Sequence, residues 1–306
     1  TDIWSRSCAD AVVAAGRLYV LGGSNGTREQ RVRLLATMER FDPQSGQSGE
    51  WTDMPALPKA RMRPGLAVLN GRIYVCGGRT LFRAPSDRVD RFDTGAQAWQ
   101  LLQPMSQRRA SPMAAIGPRC LYVCGGESHV YLRSVELFDA TEEQWQMLPA
   151  MSQMRSQGAI AQTRRGLCVF GGFGPDPLRS SECLNISTRV WEPLPLMGQP
   201  KAGSVVAHAQ QKTVLVCCTS TWNVLIGSVE VFDLEFSTWS TVQSPRQTSG
   251  CVMNVGAGHL YLCGGVDNTG FALRTMERLS LRSRKWETLP PMQVPRSWAS
   301  GGHCMV

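Results

Sequence analysis

Trp51, Trp99, Trp145, Trp191, Trp239 and Trp286 stand 48, 46, 46, 48 and 47 residues apart along a chain of 306 residues. A period of this size means one supersecondary unit copied six times, which restricts the chain to propeller-like or solenoid architectures. The same order of residues precedes each Trp. An apolar run ends in a glycine pair: Gly22-Gly23, Gly77-Gly78, Gly125-Gly126, Gly171-Gly172 or Gly264-Gly265. An apolar-acid step follows, seen as Phe41-Asp42, Phe92-Asp93, Phe138-Asp139 and Phe232-Asp233. Trp comes seven residues after the Phe, except in the first copy, where Gln44 to Gly49 swells the turn by three residues.

Each copy reads as four short strands. In the second, Gly65 to Leu69 is strand one, Asn70-Gly71 a two-residue hairpin turn, and Ile73 to Cys76 strand two. Val89 to Phe92 makes strand three, and the stretch around Trp99 makes strand four. A four-stranded antiparallel sheet cannot bury both faces alone, whereas blades stacked around an axis cover one another. The repeated Trp is the wedge one blade offers its neighbour. The glycine pairs supply positive φ or close backbone approach. The Asp of the apolar-acid step caps the turn into strand four.

These residues resemble the kelch repeat: a Gly-Gly pair after a Tyr-bearing apolar strand, an acidic-apolar third strand, and a Trp at fixed distance. The resemblance covers essentially the whole chain. It implies an all-β, six-bladed kelch β-propeller with four antiparallel strands per blade, residues 1–306 forming a single domain. The chain departs from the pattern at Cys217-Cys218, which replaces the glycines of the fifth copy, so an altered bend is expected there. Leu184-Asn185 and Leu279-Ser280 replace Phe-Asp in the fourth and sixth copies. Two segments compete for strand one of the first blade. Arg6 to Ala14 is correctly spaced from Gly22, while Arg296 to Val306 opens in the same way. Family habit favours the C-terminal segment, and that closure is the expectation.

Length alone suggests about two domains, but the unbroken repeat argues for one. The apolar runs are too short to span a membrane, and no signal-peptide architecture stands at Thr1. Eleven cysteines admit a disulfide scaffold, a metal site or apolar filling. Cys76, Cys124 and Cys263 share a strand-two slot with Leu21, Phe170 and Val216, which marks the slot as core. No Cys/His spacing suits zinc. The expectation is reduced core thiols in the cytoplasm or nucleus, with no metal and no cofactor.

The net charge is +8, and 28 of the 32 basic residues are arginine. The loops joining strand four to the next strand one, and those joining strands two and three, emerge at the same rim of an antiparallel blade. They hold most of the excess. Arg61, Arg109, Arg155 and Lys201 each lie 16 residues before the next glycine pair or its Cys replacement. Strand three repeats an acid: Glu39, Asp90, Glu136, Glu182, Glu230 and Glu277. That series reads equally as ion pairs between blades or as a binding rim. Arg63, Arg79, Arg83, Arg108, Arg133 and Arg155 are the candidate partner-binding cations, because a guanidinium grips carboxylate or phosphate bidentately. Phe271, Trp222 and Trp298, placed in the same loop sets, are candidate apolar anchors.

Catalysis finds little support. Tyr19, Tyr74, Tyr122 and Tyr261 fill one repeated slot, and His129, His208, His259 and His303 form no cluster in sequence. No Gly-rich loop opens a helix to cradle phosphate. The resemblance implies instead a non-enzymatic protein-binding module, like the substrate-recognition half of BTB-kelch adaptors of cullin-RING ubiquitin ligases. BTB and BACK-type domains, and hence the cullin contact, would lie outside this chain. The expected ligand is an acidic or phosphorylated peptide or protein surface. The competing readings are an actin-binding cytoskeletal module and a kelch-type enzyme. Nucleic acid is a poor match, since a closed disc offers neither groove nor recognition helix.

Overall fold

The computed structural model describes residues 10–25, 33–42, 44–45, 50–80, 84–201, 204–209, 213–218, 226–248, 251–256, 258–265, 267–269, 271 and 273–291. They fall in two compact units, Thr1–Met147 and Leu148–Val306. Each unit holds three four-stranded sheets.

The second sheet shows why the sequence folds as it does. Gly65–Leu69, Arg72–Cys76, Val89–Asp93 and Ala98–Leu101 pair antiparallel in chain order. Strand one alternates buried and half-buried residues, and Leu69 pairs with Arg72 across Asn70-Gly71. Both turn residues are left-handed, with φ of 51° and 69°, the pair of angles that suits the strand twist. The third-to-fourth turn is closed as expected: Asp93 Oδ1 accepts from the N–H groups of Gly95 and Ala96, each at 3.0 Å. Asp139 repeats this with Thr141 and Glu142, and Asp233 with Glu235 and Phe236. Asn185 makes the same two bonds, to Ser187 and Thr188, so its departure from Phe-Asp leaves the cap intact.

Within each unit the core lies between adjacent sheets. In the first, Val12, Tyr19 and Leu21 pack with Ile73, Val75 and Phe92, and Tyr74 and Cys76 pack with Leu121, Val123 and Phe138. In the second, Cys168 and Phe170 pack with Phe232, and Val229 and Val231 with Leu260 and Leu279. The repeated Trp couples neighbours as a half-buried edge residue. Trp99 Nε1 donates to Pro55 O at 2.8 Å, Trp145 to Gln103 O at 2.9 Å, Trp191 to Pro149 O and Trp239 to Pro195 O, both at 2.8 Å. Trp51 is exposed and leans on Phe41, while Trp286 packs beside Val229 and Leu279.

Two expectations are corrected here. The N-terminal segment supplies strand one of the first sheet: Asp10–Ala14 pairs with Arg17–Leu21 in the order of every other sheet. Its spacing to Gly22 outweighs family habit, and residues 292–306 lie outside the described residues. Second, the core cysteines are not all thiols. Register places Cys168 directly opposite Cys183 on paired strands, and the two form a disulfide. Among the described residues, Cys76, Cys120, Cys124, Cys251 and Cys263 keep their thiols. Where the fifth copy lacks glycines, strand two does not stop but runs on through both cysteines, Thr213–Cys218. The expected altered bend concerns residues 219–225, which lie outside the described residues.

Candidate partner-binding face

The candidate face of the first unit is built from two kinds of loop, tied together by a repeated backbone stitch. Gly77 and Gly78 take φ of 64° and 101°, which turns the chain out of strand two. Gly78 N–H then donates to Arg109 O at 2.8 Å, and Arg109 N–H to Ser86 O at 2.8 Å. Arg109 thus has its backbone fastened to the second sheet. Its side chain enters the third, where the guanidinium reaches Glu136 Oε1, Gly125 O and Ser134. The other carboxylate oxygen, Glu136 Oε2, accepts from Ser106 N–H at 2.7 Å.

The same device recurs with Arg61 and Asp90 at 2.5 Å, and in the second unit with Arg155 and Glu182 at 2.8 Å. Ser152 N–H holds the second oxygen of Glu182. Lys201 varies it, donating to Ser228 O at 3.2 Å while its own carbonyl accepts from Gly172 N–H. Burial pulls the Arg61 guanidinium below its ordinary value, opposed by the Asp90 charge. The repeated base-acid series is therefore structural. Arg155 is corrected as a partner-binding candidate: its side chain is fully buried and spent on Glu182, Gly171 O and Ser180.

The remaining candidates divide by exposure and pairing. Arg79, just after the glycine pair, bridges Met62 and Pro85 by its backbone and pairs with Glu127, which occupies the same slot in the next sheet. Arg108 is 68% exposed and sits 3.6 Å from Asp87, a loose contact. Arg133 is exposed on the loop between strands two and three. Arg63 is half-buried with φ of 52°, and its carbonyl accepts from Ser111 N–H at 3.0 Å. In the second unit Phe271 is 74% exposed, on a turn whose Asp267 accepts from its N–H. Arg83, Trp222 and Trp298 lie outside the described residues.

Ser111 and Gln157 share with Arg63 the slot two residues after the buried base, and all three are left-handed at φ of 49–52°. Sequence reasoning passed over Ser111 and Gln157. The available signal was their fixed offset from Arg109 and Arg155, since only Arg63 carries a charge. A left-handed non-glycine residue costs about 1 kcal/mol or more and persists where the surroundings over-determine it. Here the backbone stitch does so.

Similarity to known proteins follows the repeat. The family described as "Kelch motif" matches residues 5–58, 60–106, 108–152 and 247–293, more than half of the chain. Kelch repeat and BTB domain-containing protein 13 of Homo sapiens is 29% identical over 117 residues, 38% of this chain and 23% of that protein. Kelch-like protein 35 of Mus musculus is 30% identical over 115 residues, 38% of this chain and 19% of that protein. The matched segments thus span less than a quarter of these curated relatives. A solved structure titled "Structure of YjhT" aligns with a TM-score of 0.72 over 94% of this chain and 98% of its own, at 13% identity, a likeness of fold alone.

Proposed function

Because this chain belongs to the kelch-repeat family, its four-stranded antiparallel sheets being propeller blades, we propose that it is a protein-recognition module in which residues 1–306 form one six-bladed ring. Its role is substrate recognition for a cullin-RING ubiquitin ligase, with the cullin contacted through a domain outside this chain. The ligand is an acidic or phosphorylated segment gripped by Arg63, Arg108 and Arg133 on the loops of the first unit.

One observation carries the reading. The repeat consumes Arg61 and Arg109 inside the blades, yet the same loops leave Arg108 and Arg133 exposed. Arg108 makes a loose contact with Asp87, and neither its side chain nor that of Arg133 enters a blade as those of Arg61 and Arg109 do. Arg79 already has Glu127, so an anion takes it only by displacing that carboxylate. A charge-assisted hydrogen bond contributes about 1.5–3 kcal/mol, against about 1 kcal/mol or less for a loose exposed pair such as Arg108 with Asp87. A fitted ligand therefore outcompetes Asp87. The five cysteines that keep their thiols among the described residues support a reducing compartment, cytoplasm or nucleus, with the buried Cys168–Cys183 pair as the exception.

The test is a comparison of proteins retained by the wild-type chain and by the double charge reversal Arg108→Glu, Arg133→Glu. Partners should be lost on reversal and by raising salt, because exposed charges are screened beyond about 8–10 Å near physiological ionic strength. A partner set indifferent to both refutes the face. Recovery of a cullin with the full-length protein, but not with this chain alone, tests the ligase role separately.

A further inference from the structure

A second feature lies at the opposite end of the same blades, where the hairpins of strands one-two and three-four emerge. A cleft of about 180 Å³ opens there in the first unit, lined by Asn70, Arg72, Tyr74, Arg119, Ala140 and Thr141 among others, and no carboxylate is in its wall. Its two arginines arise from a slip in the repeat. Arg72 opens strand two of the second sheet, after Gly71. In the third copy, Cys120 fills that position and Arg119 stands in the slot of the glycine.

The acids near the cleft are already committed. Asp93 takes the N–H groups of Gly95 and Ala96 and one contact from Arg72 Nε at 3.0 Å, leaving the outer nitrogens of that guanidinium. The Asp139 carboxyl is held low first by the N–H of Glu142, then by Thr141, with Arg119 the least of its influences. Behind the wall, Tyr74 is held by Arg91, which in turn pairs with Glu143 at 2.8 Å. Arg119 is exposed, and its backbone is fixed by Ala140 N–H donating to its carbonyl at 3.1 Å.

We propose that this cleft binds one doubly charged oxyanion, a phosphate group, between Arg72 and Arg119, with the Asn70 amide completing the shell. Sites for drug-sized ligands run to roughly 300–1,000 Å³, so this smaller cleft suits a single group. Two guanidinium forks favour a tetrahedral dianion over a monocarboxylate. The source is either free phosphate or a phosphorylated side chain, and the site does not rest on the loop face proposed above.

The experiment follows backbone amide chemical shifts of the whole chain during titration with inorganic phosphate, ionic strength being held constant with sodium chloride. Saturable shifts at Asn70, Ala140 and Thr141 are expected. Arg119→Gln, an exposed site whose fold is checked by melting, should weaken them at least about tenfold, the loss of one charge-assisted contact. Arg108→Gln, on the other loop face, should leave them unchanged. A phosphoserine peptide that titrates more tightly than inorganic phosphate identifies the side-chain source, and equal affinity identifies the free ion. Absence of shifts at the three amides, shifts unaffected by Arg119→Gln, or acetate binding as well as phosphate overturns the proposal.

Discussion

Arg109 and Glu136 meet in full burial, with Arg109 Nη2 and Nε donating to one carboxylate oxygen at 2.8 and 3.1 Å. Because the Arg109 backbone belongs to the second sheet's hydrogen-bond network, this contact couples two blades. Breaking a buried pair by deleting one partner leaves an uncompensated charge, at a cost of about 3–5 kcal/mol. Arg109→Ala should lower the urea midpoint accordingly, whereas Arg108→Ala, one residue away and exposed, should stay within about 0.5 kcal/mol. Equal midpoints for the two variants would remove the inter-blade role.

The glycine pair sets a second, steric requirement. Gly126 has φ of 93°, and a Cβ there would lie 2.8 Å from Ala110 O, a carbonyl on the adjoining loop. Gly16 also has positive φ, but a Cβ would meet nothing within 4 Å. Gly126→Ala should therefore cost clearly more than Gly16→Ala, about 3 kcal/mol against about 1 kcal/mol for backbone strain alone. Thermal melts that rank the two in the other order would contradict the close approach.

Asp139 tests the turn caps through pH. Its carboxyl sits below the usual carboxylate value because Glu142 N–H, then Thr141 N–H, stabilise the charge. A depressed folded value contributes stability that is present above the unfolded value of about 3.9 and lost as pH falls through the folded one. Asn185 makes the same bonds without charge. Asp139→Asn should thus keep the cap near neutral pH and flatten the fall in melting temperature below about pH 4. An unchanged acid slope would assign the pH dependence elsewhere.

Cys76 shows the converse. Burial pushes its thiol up to about 12, so the folded state favours the protonated form. That contribution is complete below the unfolded value of about 8.5 and lost as pH rises toward the folded value. Alkylation at pH 8 should leave Cys76 unmodified until denaturant is added, and peptide mapping without reductant should recover Cys168 joined to Cys183. Rapid native labelling of Cys76 would show that its strand opens.

The repeat made the blades legible because strand period, turn residues and glycine pairs are local quantities. Gly65–Leu69 and its three partners, the Asn70-Gly71 turn and the Asp93 cap all follow from short-range sterics and hydrogen bonding. The role of Arg155 did not follow, since an arginine on a loop looks the same in sequence whether its side chain enters a blade or faces solvent. Its regular offset from Gly171 pointed to the buried role, but only packing against Glu182 excludes the other.

From the amino-acid order alone came the repeat, the strands within each blade, and the slots for Trp, Gly-Gly and the buried base with its acid. Those features depend on residues close along the chain. Tertiary structure alone decided which charges remain for a partner: Arg79 met Glu127 48 positions away, Arg108 met Asp87, and Arg119 came to share a cleft with Arg72. It also decided that Cys168 faces Cys183 and that Asp10–Ala14 completes the first sheet. The physical reason is common to all of them. Coulomb attraction, thiol pairing and edge pairing act on spatial distance, and the distance between residues far apart in sequence exists only once the blades have packed.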